Sequence, residues 1–269
     1  MTNITIITAF FDIGRGTWTP DKGIPHYIQR TTETYIERFS YMAQLENDMV
    51  VFSTPDIISK LRPLRFGKNT QFVEIDLNQY EYLRTRISKI QNDPLYQSRI
   101  SPNQVKNPEY WNADYVLVNF LKSIFVNLAI RSGYVQNELV AWLDFGYCRS
   151  ADKIPASKKW SYDFDSTKMH LFKYHDKRPN MSIYDIIANN YVHILGAKIV
   201  GGKSVWPKME ECMWNELNLL LDNNLVDDDQ TLLLMSTIEN AELFELHKIP
   251  DHQLGFDPFV IFSDFNKEV

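Results

Sequence analysis

The chain has little of what most site signatures are built from. Only two of its 269 residues are cysteine, Cys148 and Cys212, and they sit in unlike contexts without metal-ligand spacing. A disulfide framework is therefore not expected, and a reducing cytoplasm is the simplest home. Glycine is scarce, and Gly14-Arg15-Gly16 lacks the third glycine of a dinucleotide fingerprint. Gly202-Lys203-Ser204 ends like a Walker loop, but Ala197 stands where the upstream glycine belongs. No serine occupies a Gly-x-Ser-x-Gly elbow, and His247 and His252 are too far apart for a zincin pair. There is no excess of basic residues; the net charge of −6 argues against a protein whose main task is to hold a nucleic-acid backbone. The N-terminus shows no basic leader and no small-residue cleavage site, so no signal peptide is expected. The most apolar long window, residues 113–130, is interrupted by Asp114, Asn119, Lys122 and Asn127. A charge at mid-bilayer costs roughly 2.5–3.5 kcal/mol, so this window reads as a packed helix and not a transmembrane segment.

What is present is a rhythm of apolar strands and amphipathic helices. Residues 4–11, 48–53 and 71–75 read as buried strands, and 31–44, a short segment opened by Thr54-Pro55, and 80–91 as helices between them. Strand and helix alternating in this way predict an α/β fold, a mostly parallel central sheet flanked by helices. Residues 92–110 are polar and carry Pro94, Pro102 and Pro108, which predicts a surface excursion without a fold of its own. A long helix follows over 112–131, on whose wheel Lys122 points away from the apolar stripe as a solvated side chain. Further strands are expected at 139–143, 169–174, 193–200 and 242–247, and helices at 183–189, from Trp206 to about 222, and after Asp227-Asp228-Asp229-Gln230. With no repeat and no long linker, residues 1–269 are expected to form a single domain.

Three stretches beyond apolar segments invite a functional reading. Leu139 to Leu143 ends in Asp144-Phe145-Gly146, where a ligand would sit at the carboxyl end of a parallel strand; capping or turn-shaping explains Asp144 equally well. Gly201-Gly202 would let backbone approach a ligand or would simply make a turn. Asp228 and Asp229 are natural helix-start acids, and one of them could also serve as a general base.

The order of these stretches resembles the GT-A glycosyltransferases, whose fold is Rossmann-like and whose Asp-x-Asp motif follows a strand preceded by a long helix. More specifically, Thr8-Ala9-Phe10-Phe11-Asp12-Ile13-Gly14-Arg15-Gly16, Trp142 through Arg149, and Asp228-Asp229-Gln230 resemble the signature stretches of the HtrL/YibB family. The resemblance implies a single GT-A-like domain that moves a sugar from a nucleotide-sugar donor to a bacterial surface glycan, lipopolysaccharide or capsule, or to its lipid-linked form. It implies work on the cytoplasmic side, peripheral at the inner membrane through the acceptor. Ala9, Phe10, Asp12 and Arg15 would face the nucleotide, and Lys122 would reach the diphosphate. Asp144 would stand at a Mn2+ or Mg2+ ion or at the diphosphate itself, with Gly146 making room. Gly201 and Gly202 would line the donor-sugar side, and Asp228 or Asp229 would deprotonate the acceptor. Glycine stands at position 146 where the Asp-x-Asp motif of the GT-A glycosyltransferases has a second acid, which also motivates the alternative of a non-catalytic nucleotide-sugar-binding or glycan-assembly protein. His252-Gln253-Leu254-Gly255 is similar to a metal-ligating His-x-x-Gly segment of some retaining members, although Asp257 replaces their lysine.

Overall fold

The structure, a computed structural model, describes residues 2–178, 180–249 and 259. The His252–Gly255 segment and Asp257 lie outside the described residues. Among the described residues, seven strands form one sheet in the order β3-β2-β1-β4-β6-β5-β7: β1 Ile4–Phe10, β2 Met49–Ser53, β3 Thr70–Glu74, β4 Leu139–Leu143, β5 Met169–Lys173, β6 Ile194–Gly202 and β7 Phe244–Lys248. The expected α/β architecture is what the structure shows. Strands β3, β2, β1 and β4 pair in parallel, β7 pairs in parallel with β5, and β6 alone runs against its neighbours β4 and β5.

The central strands are apolar on both faces because helices cover both sides. Side chains alternate strictly: Leu139, Ala141 and Leu143 join one buried cluster, and Val140 and Trp142 join the other. Helices α1 (Thr32–Met42) and α2 (Pro55–Leu61) supply the first cluster. The second is built by α3 (Glu81–Gln91), α5 (Ala113–Phe120), α6 (Lys122–Arg131), α8 (Trp206–Asp222) and α9 (Asp229–Glu239). Each fully buried large side chain, Trp142 and Phe125 among them, contributes about 1.5–3 kcal/mol of hydrophobic stabilisation.

Two expectations are corrected here. The single helix over 112–131 is two helices, α5 and α6, bent by 41° at Leu121. Among the described residues no single helix is long and apolar enough to cross a membrane. The bent pair has the composition for it, but most of α6 is packed inside the protein. The stretch 92–110 is not a bare surface excursion. It contains α4 (Pro94–Arg99) and a 3-10 turn at Pro108–Tyr110, and Tyr96, Ile100 and Tyr110 enter the core. The tyrosine hydroxyls donate to buried carbonyls, Tyr96 to Val226 at 2.8 Å and Tyr110 to Ile187 at 2.6 Å, so a polar, proline-marked segment still packs against the helix α7 (Ile183–Asn189) and the approach to α9.

Candidate functional site

β4 ends where β1 also ends and β6 begins, so its last residue opens onto the carboxyl edge of the parallel half-sheet. The Asp144 backbone N–H donates to the Ala197 carbonyl of β6 at 2.9 Å, and the Tyr147 N–H closes the turn back to the Asp144 carbonyl. Phe145 turns inward and stacks between Phe39, with ring centroids 4.5 Å apart, and Phe10, 5.0 Å apart. That inward ring fixes the turn and leaves Asp144 and Gly146 facing outward into a cavity.

Asp144 does not stand alone. Its Oδ1 accepts from Trp142 Nε1 at 2.8 Å and meets Lys122 Nζ at 3.0 Å. Lys122, at the first position of α6, also meets Asp229 Oδ2 at 2.8 Å and donates to the Gly196 carbonyl at 3.0 Å. The expectation of a solvated Lys122 is overturned, since the side chain is buried. The bend at Leu121 turns the start of α6 toward the sheet, which a wheel drawn on one straight helix cannot show. Burial works against the ammonium, yet Asp144 and Asp229 together outweigh it and raise its pKa. Asp229 is equally buried, and its carboxylate presses so closely on Gly196 that a Cβ there would fall 2.2 Å from Oδ2.

The main cavity has a volume of about 620 Å³ and is lined by Arg15, Arg30, Arg149, Asp144, Gly146, Glu109 and Asp228, among others. A smaller recess of about 100 Å³ adjoins it, sharing Arg15, Tyr35, Asp144 and Gly146 and reaching Ala9, Phe10 and Lys122. Arg15 spans both. Its Nη1 donates to the Tyr35 hydroxyl at 2.5 Å, and its guanidinium lies 5.4–5.8 Å from the rings of Trp18, Tyr35 and Tyr115.

The acids of the cavity are shifted by the same burial that shapes it. Asp228 caps α9, accepting from the Gln230 N–H at 3.0 Å, and still lines the cavity. Burial, followed by the charges of Asp229 and Asp227, pushes its pKa well up. Glu109 accepts from Asn190 Nδ2 at 2.6 Å and is pushed up to about 8 by burial, with Asp228 adding to the shift. Asp227, buried and bonded to the Thr231 hydroxyl, is likewise pushed up to about 8 by burial and then by Glu109.

The structure thus brings together Ala9, Phe10, Arg15, Lys122, Asp144, Gly146 and Asp228. Asp229 sits behind them as the partner of Lys122. Asp12 lines neither cavity; it shapes the loop, accepting from the Gly14 N–H and the Thr32 hydroxyl at 2.8 Å each. Gly201 and Gly202 are at the wrong end of the sheet, paired with Val140 and Leu139 at the start of β4. Their role is close packing of chain on chain. A Cβ on Gly201 would lie 2.4 Å from Met169 Sδ, and one on Gly202 would lie 1.8 Å from the Ser166 carbonyl oxygen. Gly202→Ala is expected to lower the unfolding free energy by about 1–3 kcal/mol in urea titration, as overpacking does, while leaving ligand responses at Asp144 unchanged. An unaltered urea midpoint would contradict this.

The cation site of the Asp-x-Asp pattern can be tested on the residues themselves. A Cβ at Gly146 would lie 2.8 Å from the Tyr35 ring, so the turn has no room for a second carboxylate there. Asp144 has one oxygen already shared by Lys122 and Trp142. The residues present do not make the two-carboxylate site of that pattern. Among the described residues, three metal-ligand groups come together only at His170, Glu245 and His247, on β5 and β7, two and three strands from β4.

Sequence reasoning missed Glu109, Arg30, Arg38 and Tyr35. Glu109 was hidden in a stretch whose prolines signal a loop. The arginines are ordinary polar positions on or before an amphipathic helix, and only the turn after β4 gives them a common neighbour.

Comparison with known proteins follows the same chain. The apo form of mouse xyloside xylosyltransferase 1 superposes with a TM-score of 0.42 at 8% identity, over 91% of this chain and 84% of that one. Protein HtrL of Escherichia coli (strain K12) is 41% identical over 247 residues, covering 90% of this chain and 87% of the relative. The family described as a bacterial protein of unknown function, HtrL_YibB, matches residues 2–264. The chain belongs to the HtrL/YibB family.

Proposed function

We propose that this protein is a glycosyltransferase that moves a sugar from a nucleotide-sugar donor to a hydroxyl of a bacterial surface glycan or its lipid-linked precursor, with residues 1–269 acting as one catalytic domain. One observation carries the reading: a single cavity at the carboxyl ends of β1 and β4 holds cations on one side and a raised-pKa carboxyl, Asp228, on another. Breaking a sugar–phosphate bond builds oxocarbenium character on the sugar and negative charge on the departing diphosphate. Fixed cations stabilise that charge without reorganising. Asp228, on the cavity wall, would take the acceptor proton, and Tyr27, 69% exposed on the same cavity, would offer an apolar face to a sugar ring. The smaller recess, walled by Ala9, Phe10, Tyr35 and Tyr115, has room for the edge of the base at most, which leaves the rest of the donor to the main cavity. Asp229 is assigned to hold Lys122, and the base role falls to Asp228. Acceptor class and a peripheral place at the inner membrane come from the family resemblance.

A panel of nucleotide sugars tests the reading by thermal shift and by release of nucleoside diphosphate. At least one donor is expected to raise the unfolding midpoint by several degrees and to be turned over slowly to water. Stabilisation with no turnover and no transfer to any glycan extract favours the binding-protein alternative, and no stabilisation by any donor removes the reading.

A further inference from the structure

Resting on that reading and deepening it, we propose that Arg15, Arg30, Arg38 and Arg149 hold the donor's diphosphate without a bridging divalent cation, while Asp144 serves as the fixed partner of Lys122. The acid side of the site motivates the first half. Asp144 Oδ1 is already engaged by Trp142 and Lys122, and Tyr35 closes the space where a second carboxylate would enter at position 146. Moving Tyr35 aside would also break its hydroxyl contact with Arg15.

The basic side supplies what the acids do not. Arg15, Arg30 and Arg149 line the same cavity as Asp144, and Arg38 stands over the turn, its Cδ 3.5 Å from a Cβ built on Gly146. Arg15 Nε and Arg38 Nη1 are buried without a hydrogen-bond partner. Buried guanidinium donors are rarely left unmatched, and each unmatched one costs free energy unless a ligand completes it. The cations also crowd each other. Burial first, and then the charges of Arg30 and Arg15, lower the pKa of Arg38; burial, Arg30 and Arg38 hold Arg149 down to about 10. Arg38 stands beside the three arginines that line the cavity, and an anion seated there relieves the repulsion that Arg30 and Arg15 exert on it.

The chemistry of the forks selects phosphate. Planar guanidinium groups meet phosphate oxygens bidentately, and a diphosphate offers oxygens to more than one fork at once. Lys122, shared with Asp229, offsets part of the nearby Asp144 charge, so Asp144 repels the ligand less than a bare carboxylate would. In the reaction, the bond from the sugar's anomeric carbon to the β-phosphate oxygen breaks with its electron pair going to that oxygen. The acceptor oxygen bonds the same carbon and its proton passes to Asp228. The arginines take the charge that develops on the diphosphate.

A phosphate ester on the acceptor would present similar chemistry to the arginines, and the test separates the two sources. The full chain is titrated calorimetrically in EDTA buffer with UDP, GDP, ADP and dTDP, with inorganic pyrophosphate, and with a hexose 6-phosphate, then again with Mn2+ in place of EDTA. One nucleoside diphosphate and pyrophosphate are expected to bind in EDTA, with Mn2+ changing the affinity less than about threefold. Arg30→Gln and Arg38→Gln are each expected to weaken binding about tenfold or more, and Arg38→Lys less, at unchanged thermal midpoints. Binding only with Mn2+, or glutamine variants that bind as the parent does, would overturn the inference while leaving the sugar-transfer reading standing. Hexose 6-phosphate binding as tightly as the diphosphates would move the cluster to the acceptor and overturn it as well. No nucleotide bound under either condition would sink the sugar-transfer reading, and the inference with it.

Discussion

Lys122→Met lowers the unfolding free energy by about 3–5 kcal/mol at pH 8, the range seen when one partner of a buried ion pair is removed. Lys122 and Asp229 are 4% and 2% exposed, and the lysine is the only cation within ion-pair distance of Asp229 among the described residues. Asp144 is more exposed, so its own loss is screened and smaller. Methionine fills the volume but leaves Asp229 buried without a countercharge. The pH dependence has a definite sign. Burial already raises the Asp229 pKa against the pull of Lys122, and removing the lysine raises it further. A carboxyl whose folded pKa lies above its unfolded value binds a proton in the folded state that the unfolded state gives up. Its contribution is present below the unfolded value near 4 and is lost as pH rises through the folded value. Glu109 and Asp227, both pushed up to about 8, give the parent protein the same downward slope between about pH 4 and 8. The variant is therefore least impaired near pH 5.5 and most impaired near pH 8.5, measured by urea unfolding at both. Adding Asp229→Asn removes the stranded charge and recovers a large part of the loss. A pH-independent loss below about 1 kcal/mol would show that the pair is not structural.

How much of this was legible beforehand depends on which physical signal each part leaves in the sequence. The strand Leu139–Leu143 and its acidic turn were legible because a five-residue apolar run bounded by Asp and Gly has few other folded uses. The helix start at Asp228 was legible for the same local reason, a cap followed by apolar periodicity. Lys122 was misread from periodicity because its environment is set by a bend one residue earlier and by Asp229, far along the chain. Gly201 and Gly202 were read for the right property, close approach of backbone, but at the wrong end. Strand direction is not encoded locally, and β6 runs opposite to β4, which carries its last residues away from the ligand edge. Arg15 was legible through the resemblance of its loop, but the cluster itself was not, since Arg15, Arg38 and Arg149 come from a loop, a helix and a turn that meet only around Gly146 and Tyr35.

If the proposed sugar transfer holds, Asp228→Asn is expected to lower kcat by about 10²- to 10⁴-fold, the usual worth of a positioned general base. The substitution is chosen so that structure and chemistry separate. Asparagine caps a helix as well as aspartate does, and its Oδ1 can keep the bond from the Gln230 N–H at 3.0 Å. The Lys122–Asp229 pair behind it is untouched, so the donor's KM and the unfolding midpoint stay near parental values. Only the ability to accept the acceptor's proton goes. The parent's kcat is expected to climb with pH as the raised-pKa Asp228 carboxyl ionises, because the base acts in its deprotonated form. In the asparagine variant that limb flattens. Glu109 is the internal control, a buried carboxyl on the same cavity that burial also pushes up, to about 8. If Glu109→Gln abolishes the pH limb while Asp228→Asn keeps more than a tenth of the activity, the proton goes to Glu109. The acceptor would then approach from the 108–110 turn and not from the start of α9.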